Sequence, residues 1–154
     1  MVQVEGMSHR HEALAEFPVV VAIPVQWGDQ DLFGHTNNVV YLRWCETARV
    51  EYLARIGLGM SLPPTGVAPI LASIKCDYKR PLKYPDTVQV GARVTRIGNS
   101  SIQIENCVVS ESRGVVAAIA ECTVVMLDYS TNKTVRVSTE MRQIIGELEG
   151  KTFE

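Results

Sequence analysis

The amino-acid sequence predicts an α+β domain in which an antiparallel, five- or six-stranded sheet wraps around one long central helix. Two observations lead to this class. Residues 39–55 have helical periodicity over a long stretch, and most of the chain after them alternates between apolar and polar residues. Because one helix cannot cover both faces of so wide a sheet, either the sheet curls around the helix or its second face packs against another copy.

The chain begins with residues 1–16, which are mixed and charged and show no sustained periodicity. We expect a flexible N-terminal lead-in there, followed by a single domain over residues 17–150. Residues 17–25 contain enough β-branched and aromatic side chains to form a first strand. The next segment, residues 28–38, is polar and glycine-bearing, so it is predicted to be a loop.

The long helix is predicted from apolar side chains that recur at three- and four-residue steps between Leu42 and Ile56. Asn37 or Asn38 can act as its N-cap, and Gly57 follows the last turn as a stop signal. Apolar residues cover much of the circumference of this segment, which is typical of a largely buried helix.

The strands after the helix are predicted from alternation with a period of two residues. They cover residues 70–78, 87–95, 101–109 and 115–127, and a short strand follows Asn132 before a polar helix over residues 138–148. Val88, Val90, Ala92 and Val94 share one face of their strand. The segment 115–127 is nearly all apolar, which predicts a central strand covered on both faces.

Composition excludes several classes of protein. The chain has 15 basic and 17 acidic residues, a net charge of −2, and no long basic run, so we expect no nucleic-acid partner. No apolar stretch is long enough to cross a bilayer, and the N-terminus lacks a secretory pattern. The four cysteines lie far apart without a CxxC spacing, which favours small core residues over a zinc site. We expect a cytoplasmic protein without a membrane partner.

The loop between the first strand and the helix concentrates polar side chains that could carry chemistry. Asp29, Asp31 and His35 precede a helix N-terminus, whose unpaired N–H groups suit a developing oxyanion. A carboxylate there could act as a base or nucleophile, and a histidine could orient or share a proton. Such loops are also commonly caps and turns, and this interpretation stays open. Metal binding is a weaker hypothesis, because the spacing matches neither an EF-hand nor a zinc motif.

Two runs of the sequence resemble a known enzyme family. One run is VQWGDQDLFGHTNNVVYLRWCETARVEYL, with a G-D-x-D-x-x-G loop before a helix that carries Y-x-x-W-x-E-x-A-R. It resembles the opening of the hotdog-fold, 4-hydroxybenzoyl-CoA thioesterase-like acyl-CoA thioesterases. The second run, CDYKRPLKYPDTVQVGARVTRIGNSS, is similar to the same family's Y-x-x-P-L-x-Y-x-D strand pair. The resemblance covers roughly residues 17–130 and implies a hotdog fold.

The resemblance also implies roles for particular residues. Asp31 matches the family's catalytic carboxylate, which attacks the thioester carbonyl or activates water for that attack. Asn38 matches the position at the helix start whose backbone N–H polarises this carbonyl, and His35 would be an accessory polar group. Asp29 matches a position that is structural in the family. The resemblance implies no metal and no organic cofactor.

The same loop is similar to a second group of thioesterases. His35, Asn37 and Asn38 match the end of a D-x-N-x-H-x-N-N pattern that supplies the site of acyl-ACP thioesterases. Phe33 stands where that pattern has asparagine, so the match to an acyl-ACP site is incomplete.

The predicted function is therefore that of an acyl-CoA thioesterase, which hydrolyses an acyl-CoA to a carboxylic acid and CoA. An acyl-ACP thioesterase and a non-catalytic acyl-CoA-binding hotdog protein are the alternatives. We expect a homodimer or a homotetramer built as a dimer of dimers, because one copy offers a single helix and one wall of a site. Phe33, Tyr41 and Trp44 are candidates for the lining of the acyl pocket or for core positions.

The phosphate groups of CoA call for basic side chains near the rim of the site. The candidates are Lys79, Arg80, Arg93 and Arg96, although exposed basic residues at strand ends are more often ordinary surface.

Overall fold

A computed structural model describes residues 9–58 and 66–154 of the chain. The strands are β1 (Val19–Pro24), β2 (Val67–Tyr78), β3 (Thr87–Ile97), β4 (Ser101–Ser110), β5 (Val115–Asp128) and β6 (Lys133–Thr134), and the α-helices are α1 (Asn38–Arg55) and α2 (Thr139–Glu149). All strand pairs are antiparallel, in the order β1–β3–β4–β5–β2 with β6 beside β5. The α+β class and the predicted order of one strand, one long helix and then several strands are confirmed.

Helix α1 packs against one face of the sheet and forms the main core with it. Its buried side chains are Val40, Tyr41, Trp44, Cys45, Ala48, Arg49 and Tyr52, which recur at three- and four-residue steps. The apolar set predicted for β3 points at this helix, and its members are at most 1% exposed. The helix ends as predicted, because Gly57 adopts the left-handed conformation at φ +80° just after the last turn.

Strand β5 differs from the prediction that both of its faces are covered. Its Cys122 and Val124 are buried on the side of α1, whereas Ile119 and Glu121 are exposed on the other side. The prediction is wrong within this chain, because the single long helix covers one face only and β5 lies next to the edge strand β2. The apolar composition of the strand did not reveal this alternation.

A second, smaller cluster covers the other face of the sheet at β3 and β4. Leu14 is fully buried and Phe17 is 4% exposed, and both pack with Cys107 and Val109. A Cβ atom at Gly91 would lie 2.7 Å from the Phe17 ring, so this close contact requires glycine there. The sequence predicts a flexible lead-in over residues 1–16. Residues 1–8 lie outside the described residues, and the segment from residue 9 onward packs on the sheet through Leu14.

Helix α2 is tied to the C-terminal end of α1. Ser138 caps α2 by accepting a hydrogen bond from the Met141 amide at 3.1 Å. One oxygen of Glu149 accepts hydrogen bonds from the Tyr52 hydroxyl at 2.6 Å and from the Val94 amide at 2.7 Å. Through these contacts α2 lies beside β3 and the C-terminal part of α1. The loop with the candidate site lies at the opposite, N-terminal end of α1.

Candidate active site

The loop after β1 is held to the start of α1 by Asp29. Its Oδ2 accepts a hydrogen bond from the Gln26 amide at 2.8 Å, and its carbonyl oxygen accepts one from the Asn37 amide at 2.8 Å. These bonds fold residues 27–29 into a short 3₁₀ turn and bring the loop back to the helix. Asp29 therefore serves the structure of the loop.

Asp31 lies at the start of a tight turn and keeps part of its carboxylate available. Its amide donates to the His35 carbonyl at 2.8 Å, and its carbonyl accepts from the Gly34 amide at 3.1 Å. Gly34 sits at φ +76°, a conformation that glycine adopts without strain. The Oδ1 of Asp31 accepts a hydrogen bond from the Phe33 amide at 2.8 Å, whereas Oδ2 has no partner within residues 9–58 and 66–154. The carboxylate is thus oriented by one oxygen and free at the other.

The first turn of α1 begins next to Asp31 and leaves the backbone amide of Asn38 without a partner in the helix. Asn37 is the N-cap, and its side-chain and backbone oxygens accept from the amides of Val39 and Val40, each at 3.0 Å. Asn38 is the first helical residue, so its N–H has no acceptor inside the helix. The positive end of the helix dipole adds to the ability of this amide to stabilise negative charge.

These groups meet around one cavity of about 320 Å³. Its lining consists of Asp31, His35, Thr36, Asn38, Tyr41, Tyr78, Lys79, Arg80 and Pro81. The structure therefore brings together the three residues that the sequence singled out, Asp31, His35 and Asn38. A carboxylate, an imidazole and a helix N-terminal amide around one cavity can together attack and polarise a carbonyl group.

Tyr78 is a cavity residue that the sequence analysis did not propose. Its hydroxyl donates to the Asn38 carbonyl at 2.9 Å and so joins the end of β2 to the first turn of α1. Its ring packs edge-on against Tyr41, with the ring centroids 5.0 Å apart. Burial raises the pKa of Tyr41 to about 12, and that of Tyr78 is raised to about 12 by partial burial and by the nearby Cys76 thiol. Both hydroxyls therefore stay protonated near neutral pH. In the sequence, the Y-x-x-P-L motif is the feature that could have pointed to Tyr78 as a site residue.

Thr36 is a second residue that the sequence did not reveal. Its amide donates to the Leu82 carbonyl at 2.8 Å, which ties the site loop to the segment after β2. Its side chain is 6% exposed, and its hydroxyl has no hydrogen-bond partner in the described part of the chain. A buried hydroxyl in this state retains the capacity to bind a group that enters the cavity.

The candidates for acyl-pocket lining fall in three different environments. Tyr41 is buried and lines the cavity, and its hydroxyl donates to the Arg80 carbonyl at 3.4 Å. Trp44 is 4% exposed and belongs to the core between α1 and the sheet, so for this residue the core alternative is correct. Phe33 is 83% exposed and is not part of the lining that this single chain forms.

The basic candidates for phosphate binding also separate. Lys79 and Arg80 are exposed at the cavity. Arg93 lies elsewhere and is paired with Glu16 and Glu105 at 3.0 and 2.8 Å, and Arg96 is exposed outside the cavity lining. Among the described residues, no three His, Cys, Asp or Glu side chains are grouped closely enough to hold a metal ion. No helix in that part of the chain is long and apolar enough to cross a membrane.

Comparisons with known proteins point to one family. The sequence model of the Thioesterase-like superfamily matches residues 25–145. A thioesterase from Thermus thermophilus, solved in complex with coenzyme A and Zn, shares the fold with a TM-score of 0.77. The two proteins are 31% identical, and the match covers 89% of this chain and 98% of the Thermus chain.

Two curated relatives extend the comparison. The chain is 25% identical over 118 residues to the long-chain acyl-CoA thioesterase FadM of Escherichia coli (strain K12), which covers 77% of this chain and 89% of FadM. It is 31% identical over 101 residues to the chloroplastic acyl-acyl carrier protein thioesterase ATL3 of Arabidopsis thaliana, which covers 65% of this chain. The match spans 48% of ATL3, about half the length of that relative.

Proposed function

Since the chain belongs to the Thioesterase-like superfamily and is a thioester hydrolase of the hotdog fold, as its motifs predicted, we propose that it hydrolyses acyl-CoA thioesters. One observation carries this proposal. The free oxygen of Asp31 and the amide of Asn38 belong to residues that line the same cavity, so a thioester carbonyl could meet an attacking group and a polarising donor there.

Asp31 is the catalytic residue in this proposal, by one of two routes. As a nucleophile, its Oδ2 attacks the carbonyl carbon, the C–S bond breaks, and water then hydrolyses the acyl-aspartyl anhydride. As a general base, it takes a proton from a water molecule that attacks the same carbon. In both routes the CoA thiolate leaves and is protonated, and the Asn38 amide stabilises the negative charge that builds on the carbonyl oxygen.

His35 and Tyr78 have supporting roles. His35 lines the cavity beside Asp31, and its carbonyl fixes the turn through the Asp31 amide. Its imidazole can hydrogen-bond to water or to the leaving thiolate. The Tyr78 hydroxyl holds the first turn of α1 in place through the Asn38 carbonyl.

An acyl-ACP thioesterase is the second candidate function. The similarity to ATL3 and the H-x-N-N run at His35, Asn37 and Asn38 favour it. Turnover of one acyl chain attached to CoA and to acyl carrier protein separates the two candidates.

We further propose that the working unit is a homodimer or a tetramer built as a dimer of dimers, with each copy forming a single domain. The edge strand β2 has no second neighbour in the described part of the chain and exposes Val67, Ile70 and Leu71. A second copy placed there would bury these side chains and complete the wall of the acyl pocket. A cytoplasmic location is part of the proposal, and cell fractionation tests it.

The direct test is a screen of the protein against short-chain, long-chain and aromatic acyl-CoAs, followed by Asp31→Asn. We expect the parent protein to release CoA thiol from at least one acyl class. Asp31→Asn should lower kcat at least about 100-fold, because an amide neither attacks the carbonyl nor takes a proton from water. The amide oxygen can still accept from the Phe33 amide, so the fold should be kept.

Asp128→Asn is the matched control. Asp128 also accepts a hydrogen bond from the amide two residues later, that of Ser130, at 2.9 Å, but it is the last residue of β5 and does not line the cavity that contains Asp31. This variant should keep the parent rate. Parent-like turnover by Asp31→Asn, or an equal loss in both variants, would contradict the role of Asp31. The absence of turnover on every substrate, together with tight acyl-CoA binding, would favour the non-catalytic alternative.

A further inference from the structure

Exposed apolar side chains gather at one end of the molecule, around the mouth of the candidate active site. We define the open end as residues 27–39, 79–86 and 110–115, the segments beside the N-terminus of α1. The large apolar side chains exposed there are Trp27, Leu32, Phe33, Val39 and Tyr84. The proposed second copy is placed at the edge strand β2 and does not account for these five side chains.

The three segments of the open end are held against one another by hydrogen bonds. The Thr36 amide donates to the Leu82 carbonyl at 2.8 Å, which joins the first segment to the second. The Arg113 guanidinium donates to the Pro81 carbonyl at 2.9 Å, which joins the third segment to the second. The open end is therefore one continuous surface that is fixed to the ends of the strands.

Leu32 and Phe33 form the tip of this surface, on the closed turn that begins at Asp31. Leu32 is 96% exposed, and the neighbouring Phe33 is exposed as well. The amides of Asp31, Phe33 and Gly34 all donate to acceptors inside the turn, so these polar groups are satisfied without water. Satisfied amides lower the cost of moving the tip into an apolar layer, and the two side chains gain free energy by leaving water.

Four exposed cations share the open end with these apolar side chains. They are Lys79, Arg80, Lys83 and Arg113. None of them forms an ion pair within residues 9–58 and 66–154. Their charges are therefore available to anions outside the chain.

The carboxylates of the open end have other contacts. Asp29 and Asp86 each accept hydrogen bonds from backbone amides, at 2.7 to 3.0 Å. Asp31 lines the cavity, and Glu111 also has an interaction within the chain. None of these carboxylates forms an ion pair with the four cations in the described part of the chain.

Tryptophan, leucine and phenylalanine beside lysine and arginine are typical of surfaces that lie in the interface of an anionic bilayer. There the apolar side chains enter the boundary of the acyl chains, and the cations meet lipid phosphates. Two copies that met through the open end about a two-fold axis would place the same cations against each other, which disfavours self-association. We propose that the open end docks on the surface of a membrane rich in anionic lipids, with Leu32 and Phe33 inserted.

This inference revises one expectation and agrees with another. From the sequence we expect no membrane partner, because no apolar stretch is long enough to cross a bilayer. Docking on a surface needs no such stretch. The cytoplasmic leaflet is the one that carries anionic lipids, which agrees with the proposed cytoplasmic location. The inference goes beyond the proposed function and does not depend on it.

The test measures sedimentation of the whole protein with phosphatidylcholine vesicles that contain about one third phosphatidylserine. We expect binding to these vesicles, and at least about ten-fold weaker binding to pure phosphatidylcholine, because the cations then lose their anionic partners. Binding should also weaken at high salt, where charges are screened.

The two tryptophans of the chain report which end meets the lipid. Trp27 is exposed at the open end, whereas Trp44 is buried in the core. Brominated lipid should quench the emission of the vesicle-bound parent protein but not that of Trp27→Phe. Equal quenching in both proteins would contradict docking through the open end.

Leu32→Gln tests the apolar part of the surface. The vesicle partition coefficient should fall about ten-fold, because the burial of one large aliphatic side chain contributes at least roughly this factor. Ile144→Gln is the matched control, since Ile144 is an exposed aliphatic residue on α2, outside the open end. It should bind as the parent does. Both side chains are exposed, so urea unfolding should be the same in the two variants.

Lys83→Gln/Arg113→Gln tests the cations without altering a residue that lines the cavity. Binding to the anionic vesicles should fall about 25-fold, since each cation near an anionic surface contributes roughly five-fold. Arg96→Gln/Lys133→Gln also removes one exposed arginine and one exposed lysine, but on β3 and β6 outside the open end. This control should bind close to the parent level.

Several outcomes would overturn the inference. One is a parent protein that does not bind the anionic vesicles, and another is an equal loss in a variant and its control. A loss of self-association or of binding to acyl carrier protein in Leu32→Gln, with vesicle binding unaltered, would assign the open end to a second copy or to that carrier. Vesicle binding by a protein that hydrolyses no thioester would support the inference while the proposed function fails.

Discussion

Two cavities of this molecule differ in how far their charged groups are already paired. The larger, of about 670 Å³, lies between the N-terminal segment, β3 and the end of α2. There Arg93 binds Glu16 and Glu105 and packs 4.6 Å from the centre of the Phe17 ring. The smaller cavity, of about 320 Å³, contains a free carboxylate oxygen on Asp31 and the Asn38 amide.

The comparison shows that size does not identify the site. Chemistry needs polar groups whose hydrogen-bonding capacity is still available, held in place by neighbours that are themselves satisfied. The smaller cavity meets this condition, because Asp29 and Asn37 fix the loop, while one carboxylate oxygen of Asp31 and the N–H of Asn38 keep their hydrogen-bonding capacity. In the larger cavity Arg93 is already paired with Glu105 on β4, and its salt bridge with Glu16 holds the N-terminal segment on the sheet.

The largest expected effect comes from removing one amide hydrogen from the smaller cavity. Asn38→Pro deletes the N–H, and proline is well tolerated at the first helical position. The preceding residue, Asn37, has φ −60° and ψ 137°, which suits a residue before proline. We expect kcat to fall about 100- to 1,000-fold, as for the loss of an oxyanion donor. Steady-state kinetics on acyl-CoA measures this effect.

Two controls accompany Asn38→Pro. Asn38→Ala keeps the amide and should retain the parent kcat. Thr139→Pro places proline at the first position of α2, after a cap with φ −65° and ψ 156°, and should not alter kcat. A rate near that of the parent in Asn38→Pro would remove the Asn38 amide from the mechanism.

A smaller effect is expected from the tyrosine that holds the first turn of α1. Tyr78→Phe deletes the hydrogen bond to the Asn38 carbonyl, so kcat should fall about three- to ten-fold, the equivalent of one net hydrogen bond. Tyr129→Phe deletes a similar bond, to the Pro69 carbonyl at 3.1 Å near the other end of β2. If both variants lower kcat equally, the contact of Tyr78 has no special role at the site.

The larger cavity should respond in stability and not in rate. Arg93→Gln removes a partly buried ion pair with Glu105, a more exposed one with Glu16 and the contact with Phe17. The free energy of unfolding should fall by about 1–2 kcal/mol, while kcat and KM stay at parent values. Urea unfolding and acyl-CoA kinetics on the same preparation measure both quantities. A large change in kcat with unaltered stability would indicate that the active site lies at the larger cavity and not at Asp31.

The smallest effect concerns alkaline pH. The pKa of Tyr41 is raised to about 12, mainly by burial, so the folded chain holds a proton that the unfolded chain releases from about pH 10 upward. This contribution is complete below pH 10 and is lost as the pH rises toward 12. The free energy of unfolding should therefore fall less steeply in Tyr41→Phe than in the parent between these pH values. Equal slopes in urea unfolding series would contradict the burial of this hydroxyl.

The fold was largely predictable because it depends on local periodicity. Period-two alternation placed Val88, Val90, Ala92 and Val94 on one face of β3, and apolar side chains at three- and four-residue steps predicted α1. The packing of Leu14 against β3 and β4 was not predictable, because it depends on the absence of a side chain at Gly91, far along the chain. The exposed side of β5 was missed because its apolar composition hides which neighbours cover it.

The candidate site was predictable only where it is continuous in sequence. Asp31, His35 and Asn38 lie within one loop and helix start, so one local motif brings them together. Tyr78 and Thr36 were missed, because their placement depends on how the end of β2 and the segment after it meet that loop. For the same reason the sequence does not separate Lys79, which is exposed at the cavity, from Arg93, which is paired with Glu16 and Glu105 elsewhere.

The most direct test of the central claim is a crystal structure of Asp31→Asn with bound acyl-CoA. We expect the thioester in the smaller cavity, with its carbonyl oxygen about 3 Å from the Asn38 amide nitrogen and its carbonyl carbon facing residue 31. A thioester bound in the larger cavity beside Arg93, or one whose carbonyl points away from Asn38, would contradict the account.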